Sequence, residues 1–306
     1  MSRDFTPRDS EEVQQEFSVR EDCLLESESV PLRMNRKQVC SPELERSTER
    51  SLEQPLRPIH STPGRTTFYD RDRGYRLRES EIRTIAELGK FRVIALEDLA
   101  QHAYHGRRQQ FDQDRQSLIR KGLVCQRTFE GSEATPRELL TLTRRGHRVL
   151  RATRLLPATQ EVYHDFGNPR EANHDADLYR LYQREAPRIE AAGGRNLRVI
   201  LDYELKRKID RDVANLGAQA QDEIAARNGL RVVRNKIPLP DLSIEYEDGQ
   251  GEMARVNLEL VTEHYRPRQI AEKARAGFSL YTPHGETDRL RRVLDQHELT
   301  ADILSL

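Results

Sequence analysis

Residues 240–260 read PDLSIEYEDGQGEMARVNLEL, and the second half of the chain is organised around them. Two runs of alternating apolar and polar residues flank a polar turn at Gly249 and Gly251, a pattern that predicts a β-hairpin. Asp241 stands at the start of the first predicted strand and Glu259 near the end of the second. The two carboxylates are therefore expected on neighbouring strands.

These two acids have more than one interpretation. A hard divalent cation such as Mg²⁺ binds carboxylate oxygens, which Asp241 and Glu259 would supply from adjacent strands. Alternatively, Asp241 caps a turn after Pro240, and Glu259 is a strand-edge acid in a chain where 51 of 306 residues are Asp or Glu. The residues alone leave both interpretations open.

The hairpin belongs to a third segment, residues 156–306, for which we predict a mixed α/β domain. Glu204 closes its first predicted strand, and a helix is predicted from about Pro267 to Gly277. The other predicted elements are a helix in DLYRLYQREAPRIEAA, a buried strand in LRVILDYE, a long charged helical stretch, a β-prone run in RVVRNKIP, a strand in FSLYTP and a helix in ETDRLRRVLDQHEL.

Composition excludes several classes of protein. Charged residues make up 33% of the chain and hydrophobic residues 36%, and no apolar run approaches the roughly 18 residues of a membrane span. The N-terminus has no signal-peptide pattern, so we expect a cytoplasmic protein without a membrane partner. Cys23, Cys40 and Cys125 show no paired spacing, which argues against a disulfide framework or a cysteine zinc site.

Charge is distributed unevenly along the chain. Residues 1–66 have little apolar periodicity and only two aromatic residues, Phe5 and Phe17, so we predict a disordered tail. Residues 67–155 contain 19 Lys and Arg against 12 Asp and Glu, an excess of seven positive charges. A local excess of this size favours a polyanionic partner.

Residues 67–155 also have the element order of a winged helix-turn-helix. Ser80 is a candidate N-cap for a first helix in SEIRTIAELGKF, and ALEDLAQHAY predicts a second. A third helix, in GRRQQFDQDRQSLIRKGLV, places Phe111, Leu118 and Ile119 on one inward face. Two β-prone runs and a helix from about Gly146 to Leu155 follow.

In winged-helix domains the third helix enters the major groove and the wing contacts phosphates. At 100° per residue the predicted outward face comprises Gln109, Gln113, Gln116 and Arg120. Glutamine can bind adenine, and arginine can bind guanine or phosphate. Further candidate phosphate contacts are Arg107, Arg108, Arg144 and Arg145, the last two at the end of the wing. Arg115 falls on the inward side and is expected to bind an acid. A winged helix that binds protein is the alternative.

The order Glu204, Pro240–Asp241 and Glu259 resembles the core of PD-(D/E)xK nucleases. With a winged helix in front, residues 78–285 resemble the replication-relaxation family of bacterial plasmid and mobile-element proteins. The resemblance implies that Glu204, Asp241, Glu259 and Lys273 are catalytic. It also implies that Asp241 and Glu259 bind Mg²⁺ or Mn²⁺, and that Thr262 and Tyr281 follow the third strand.

One position departs from the nuclease pattern. Val261 stands two residues after Glu259, where the pattern requires lysine, and Lys273 is the candidate replacement from the next helix. We therefore expect a DNA-binding protein of plasmid or mobile-element replication or mobilisation control, with a degenerate nuclease-like domain. Its expected partners are double-stranded DNA, replication or mobilisation proteins and a second copy of the chain. The alternatives are a metal-dependent nickase with a migrated lysine and a winged-helix transcriptional regulator.

Overall fold

The structure, a computed structural model, describes residues 64–130, 136–217, 219–262, 265–282, 287–299, 301 and 303–305. Over these residues the chain has a mixed α+β fold, which confirms the predicted fold class at that level. The predicted disordered tail lies outside the described residues except at its end. There Arg65 and Thr66 already belong to a strand, so regular structure begins before the predicted boundary. None of the described helices has both the length and the apolar character to cross a membrane.

The described part of the first half consists mainly of helices, accompanied by short strands. In chain order it contains β1 (Arg65–Asp70), β2 (Arg73–Arg78), α1 (Glu79–Phe91), β3 (Ile94–Ala95), α2 (Leu96–His102), α3 (Arg108–Arg120), β4 (Val124–Phe129), β5 (Arg137–Leu142) and α4 (Arg144–Thr153).

The antiparallel hairpin β1–β2 is an element that the sequence analysis missed. Tyr75 and Leu77 on its inner face are buried. The hairpin packs on α4, where the Arg148 guanidinium donates hydrogen bonds of 2.8 and 2.9 Å to the two oxygens of Asp70. A few apolar residues scattered among arginines give too short an alternation to indicate a strand.

Helix α1 begins at Glu79, so Ser80 lies inside the helix and is not its N-cap. The backbone amide of Arg78 instead donates to the Glu81 carboxylate at 2.7 Å. An acidic side chain that bonds back to the residue before the helix satisfies an amide that has no helical partner. This explains why the helix needs no serine at its cap.

Helix α3 is joined to α1 and β2 by buried charges. Asp114 on α3 lies 2.6 Å from the Arg78 guanidinium and accepts a hydrogen bond of 3.1 Å from the Tyr104 hydroxyl. Arg115 is partly buried and binds an acid as predicted, since it donates to Asp112 at 3.1 Å. Ile119 was wrongly predicted to be inward: it is 36% exposed.

The strands after α3 form a three-stranded sheet in the order β3-β5-β4. The turn between β4 and β5 falls at residues 131–135, outside the described residues. The Thr143 side chain accepts the Gly146 amide at 3.0 Å and caps α4, which therefore begins at Arg144. Arg144 and Arg145 are thus the first residues of α4 and not the end of the wing, which corrects their predicted placement.

The second half is built around a larger sheet. Its described elements are α5 (Ala172–Ala191), β6 (Arg195–Leu201), α6 (Asp202–Leu216), α7 (Gln221–Arg227), β7 (Leu242–Glu247), β8 (Met253–Leu260), α8 (Pro267–Arg275), β9 (Ser279–Thr282), α9 (Thr287–Gln296) and β10 (Ile303–Ser305).

The sheet has the order β10-β9-β8-β7-β6. Strands β6, β7 and β8 are antiparallel, whereas β9 runs parallel to both β8 and β10. The predicted hairpin over residues 240–260 is therefore confirmed, while β10 was not predicted. The run RVVRNKIP forms only an isolated bridge between Val233 and Lys236.

Of the three hydrophobic clusters among the described residues, two position the larger sheet. The first joins the two halves of the chain: Phe91 of α1 has ring centroids 5.1 Å from both Tyr179 and Tyr182 of α5. The second, which includes Ile270 and Leu280, packs α8 and α9 together with β9. The sheet thus lies between α5 and the helix pair, and its strand ends are positioned by packing on both faces.

Candidate functional site

Asp241 lies where β7 begins, beside the end of β8. Its carboxylate accepts the backbone amide of Leu260 at 2.9 Å, and its own amide donates to Glu259 at 3.3 Å. The register pairs Leu242 with Leu258, so the next pair along the ladder is Asp241 and Glu259. The structure therefore brings together the two acids that the hairpin pattern placed on neighbouring strands.

Lys273 joins these acids from α8. Its ammonium lies 2.6 Å from Glu259 Oε1 and also donates to the carbonyl of Leu239. Val261, which stands where the nuclease pattern has lysine, is instead buried in the second hydrophobic cluster. Lys273, the candidate replacement, thus contacts the Glu259 carboxylate, whereas the side chain of Val261 packs in the hydrophobic cluster.

Glu259 is completely buried, with an exposed fraction of 0%. Tyr265, immediately before α8, donates its hydroxyl to Glu259 at 2.8 Å. Burial and the neighbouring charge of Asp241 raise the pKa of Glu259 to about 7, although Lys273 opposes the shift. Removing a carboxylate from water disfavours its charged form, and a second nearby carboxylate adds to that effect.

A cleft of about 240 Å³ opens on the other side of Asp241. His174, near the start of α5, places Nε2 at 3.4 Å from Asp241 Oδ1. Burial alone would lower the pKa of His174, but the hydrogen bond and charge of Asp241 raise it to about 9. His174 is therefore protonated at neutral pH and pairs with Asp241. The cleft is lined by Glu171, His174, Asp175, Leu178, Asp202, Tyr203 and Asp241.

Two of the other acids that line this cleft, Asp175 and Asp202, have raised pKa values. Burial raises the pKa of Asp175 to about 6, even though the Tyr203 hydroxyl donates to it at 2.7 Å. The other oxygen of Asp175 has no hydrogen-bond partner among the described residues. Burial, with a further contribution from Asp241, also raises the pKa of Asp202. Asp175 and Asp202 thus bind protons more tightly than they would in water.

Glu204 does not belong to this group of acids. Strand β6 ends at Leu201, so Glu204 lies in the first turn of α6 and not at the end of a strand. Its carboxylate pairs with Arg198 and, at 2.9 Å, with Lys208. The acid that β6 delivers to the cleft is Asp202. An acidic residue directly after an apolar run was the available signal for that role.

Tyr281 also lies away from Glu259. The register pairs Leu280 with Glu259 and Tyr281 with Leu260, so Tyr281 faces the opposite side of the sheet. There its hydroxyl donates to Glu185 of α5. The tyrosine that contacts Glu259 is Tyr265, and Thr262 lies directly after β8.

The arrangement does not fit a divalent cation as it stands. Both carboxylate oxygens of Glu259 already accept hydrogen bonds, and neither of them is exposed to solvent. Among the described residues, no group of three or more His, Cys, Asp or Glu side chains is placed to hold a metal ion. Binding of Mg²⁺ or Mn²⁺ by Asp241 and Glu259 therefore stays a prediction.

The predicted outward face of α3 is exposed in the structure. Gln109, Gln113, Gln116 and Arg120 all lie at the surface. At the start of the helix, the exposed Arg108 pairs with Glu97 of α2, and Arg107 donates to the Tyr104 carbonyl at 3.2 Å. The surface position of the face is confirmed, and its contacts with DNA stay predictions.

Arg144 and Arg145 are exposed at the first turn of α4. Arg144 is 3.7 Å from Asp165, and this pair is open to solvent.

Comparison of the chain with protein-family models, curated proteins and solved structures gave no match.

Proposed function

We propose that this protein binds double-stranded DNA and acts in the replication or mobilisation control of a plasmid or mobile element. The observation that carries the DNA-binding part is the exposed glutamine and arginine face of α3. Its four side chains offer amide and guanidinium groups, which can form paired hydrogen bonds with base edges in the major groove. These side chains follow one another at helical spacing on one surface.

The order of elements around α3 supports the same proposal. Helices α1, α2 and α3 precede the antiparallel pair β4–β5, and α4 follows. This is the order of a winged helix-turn-helix, in which the third helix reads bases and the wing lies along the backbone. The positive excess of residues 67–155 would attract the phosphates.

The second half supports a nuclease-like fold that is used for holding DNA or a partner and not for hydrolysis. Helix α5, the antiparallel strands β6–β8, helix α8 and the parallel strand β9 form an arrangement similar to the PD-(D/E)xK core. Glu259, however, is sealed from solvent by Lys273, Tyr265 and the chain at Asp241. A hydrolytic centre must instead present its groups to the substrate.

A metal-dependent nickase is the second candidate, and the position of Lys273 favours it. The ammonium lies 2.6 Å from Glu259, so a lysine does accompany the acid despite Val261. A lysine in this position can offset the charge that develops on a phosphate during hydrolysis. A bound divalent cation would supply an activated water, provided that Glu259 first exchanged its present partners.

The DNA-binding proposal is tested with the full chain and a random library of duplexes at about 50 mM salt, where phosphate contacts are strong. We expect the wild type to enrich a sequence and Gln113→Ala/Gln116→Ala to lose that enrichment. The matched control, Gln250→Ala/Gln296→Ala, changes exposed glutamines of the second half and should behave as the wild type. Failure of the wild type to retain any duplex would favour a winged helix that binds protein.

The cleavage question is tested by incubating supercoiled plasmid with wild type, Asp241→Ala and Lys273→Ala, with Mg²⁺ or Mn²⁺. We expect all three proteins to leave the plasmid intact. Nicking by the wild type that disappears in both variants would establish the second candidate.

The biological role is tested by mapping the genomic sites that the protein occupies. Sites beside a replication origin or transfer region are expected. Sites confined to the protein's own promoter would identify a transcriptional regulator instead.

A further inference from the structure

The hairpin β1–β2 presents a concentration of positive charge. Arg65, Arg71, Arg73 and Arg76 are all exposed on it. The hairpin also exposes 70% of Tyr69, the aromatic residue two positions before the turn. None of these residues was among the predicted DNA contacts, because the hairpin itself was not predicted.

Helix α4 extends this positive surface. Its exposed arginines are Arg144, Arg145, Arg148 and Arg151, and the helix contains no acidic residue. We call the exposed arginines of β1–β2 and α4 together the arginine surface. The acids within these elements are Asp70 and the turn residue Asp72. Eight arginines thus stand against two carboxylates.

The hairpin and the helix are held together by one of those carboxylates. Arg148 donates to both oxygens of Asp70. This hydrogen bonding, together with the charges of Arg71 and Arg145, holds the pKa of Asp70 below its usual range. Arg71 and Arg145 therefore lie near the same carboxylate, which brings positive charge from both elements to one place.

The arginine surface adjoins the end of α3. A Cβ atom built on Gly122, which follows α3, would lie 3.2 Å from an Arg145 guanidinium nitrogen. Arg145 therefore stands beside the C-terminal end of the helix whose outward face includes Arg120. The arginine surface and the exposed face of α3 are therefore adjacent on the surface of the protein.

A surface whose arginines were merely solvated would be expected to intersperse acids among them. That pattern occurs on α8, where Arg268 donates to Glu272 at 3.0 Å and Arg234 bonds the same carboxylate at 3.2 Å. The arginine surface has less compensation: two of its eight arginines form ion pairs among the described residues, Arg148 with Asp70 and Arg144 with Asp165. Like charges held close together repel one another, and a polyanion relieves that repulsion when it displaces the bound counterions.

We infer that the arginine surface holds the phosphate backbone of duplex DNA next to the segment contacted by α3. The inference rests on the proposed DNA-binding function and adds a second contact surface to it. The hairpin is thereby assigned a role in affinity. Phosphate contacts set register and strength of binding but carry no direct information on sequence, which stays with α3.

The test uses the full chain carrying Arg71→Gln/Arg76→Gln/Arg151→Gln, which leaves the Asp70–Arg148 pair in place. The control, Arg268→Gln/Arg275→Gln/Arg291→Gln, removes the same charge from exposed positions on α8 and α9. Affinity for a duplex of about 30 base pairs is measured by fluorescence anisotropy between about 50 and 300 mM salt.

Each lost phosphate contact lowers the slope of log affinity against log salt by about 0.9. For the Arg71→Gln/Arg76→Gln/Arg151→Gln variant, called the hairpin variant although Arg151 lies on α4, we therefore expect a slope that is smaller by about 2 to 3. The control should keep the wild-type slope within about 0.5. Circular dichroism melting confirms that each variant is folded. Should the triple variant fail to fold, the three single variants are measured, each with an expected loss of about 0.9.

A hairpin variant with the wild-type slope would overturn this inference and leave DNA binding by α3 standing. Absence of any duplex binding by the wild type would overturn the proposed function as well. Wild-type binding to phosphatidylserine vesicles in place of duplex, lost in the hairpin variant, would assign the surface to a membrane and also overturn the inference.

Discussion

Two of the buried clusters of charged side chains can be compared directly. In the α1 cluster, formed by Arg78, Glu81, Asp114 and Lys121, Glu81 lies 2.6 Å from the Lys121 ammonium. In the β8 cluster, formed by His174, Asp241, Glu259, Tyr265 and Lys273, Glu259 lies at the same 2.6 Å from Lys273. Each glutamate is almost fully buried and each has a lysine partner, yet their pKa values move in opposite directions.

Burial would raise the pKa of Glu81, but the Arg78 amide and Lys121 hold it below its usual range. Burial and the adjacent Asp241 raise the pKa of Glu259 to about 7. The difference teaches that a lysine partner does not by itself decide the charge of a buried acid. The α1 cluster favours the ionised form of Glu81, although burial raises the pKa of its other acid, Asp114, whereas Glu259 in the β8 cluster is balanced between a protonated and an ionised state near neutral pH.

The largest expected effect is the loss of an acid from the α1 cluster. We expect Asp114→Ala to lower the free energy of unfolding by about 3 to 5 kcal/mol, because it removes the fully buried partner of Arg78 and the acceptor of the Tyr104 hydroxyl, and leaves Arg78 only with Glu81 at 3.6 Å. The measurement is urea denaturation at pH 7. The control Asp112→Ala, on the same helix but partly exposed, should change stability by less than about 0.5 kcal/mol. A cost below about 1 kcal/mol for Asp114→Ala would show that the α1 cluster is not structural.

The second prediction concerns the pH dependence of the β8 cluster. The folded-state pKa of Glu259, about 7, lies above its ordinary value of 4.5. The folded state therefore binds the proton more tightly, and its stabilising contribution is lost as pH rises from 4.5 through about 7. Between pH 5 and 8 we expect this residue to account for a loss of about 2 to 3 kcal/mol.

Glu259→Gln tests that contribution because it removes the ionisation while keeping the shape of the side chain. Urea denaturation at several pH values should give a flatter stability profile for the variant over this range. Equal slopes for variant and wild type would show that Glu259 is ionised throughout, which would remove the contrast with Glu81.

The third prediction concerns the lysine of the β8 cluster. We expect Lys273→Met to cost about 2 kcal/mol at pH 8, where Glu259 is largely ionised and loses its cation. At pH 6 the cost should be smaller, because Glu259 then carries a proton. The control Arg275→Met changes an exposed residue of the same helix and should show no such pH dependence. An equal cost at both pH values would mean that Lys273 acts through packing and its hydrogen bond to the Leu239 carbonyl, and not through the charge of Glu259.

The smallest effect is expected at the edge of the β8 cluster. The pKa of His174 is raised to about 9 by Asp241, so its stabilising contribution is present below its ordinary value of 6.5 and is lost as pH rises through about 9. NMR titration should show Asp241→Asn returning the His174 pKa toward 6.5. Because His174 is partly exposed, the loss of this ion pair should cost no more than about 1 kcal/mol at pH 7. An unchanged titration would place the origin of the shift elsewhere in the cleft.

The pairing of Asp241 with Glu259 could be predicted because alternation and a polar turn fix a hairpin locally. Lys273 followed from the resemblance to a nuclease core. Asp202 was missed because LRVILDYE was predicted as one strand closed by Glu204, whereas β6 ends at Leu201. The contact of Tyr265 with Glu259 was not predicted, and Tyr281 lies on the opposite face because successive strand residues alternate between the two faces of a sheet.

The α1 cluster was not predictable from sequence spacing. Glu81 and Lys121 are 40 positions apart, and their contact depends on how α1 and α3 cross. The β1–β2 hairpin was missed because its few apolar residues become a core face only when α4 and α1 cover them. In both cases local patterns carry no information on the tertiary partner.

The packing of Phe91 against Tyr179 and Tyr182 has a consequence for the evolution of this protein. Many regulators exchange whole DNA-reading modules by recombination at a linker. In this chain, replacement of residues 67–155 by a foreign module would strip the aromatic cover from α5, on which the sheet of the second half rests. Under the proposed DNA-binding function, we therefore expect a change of DNA specificity to arise through point substitutions on α3, with the two halves inherited together.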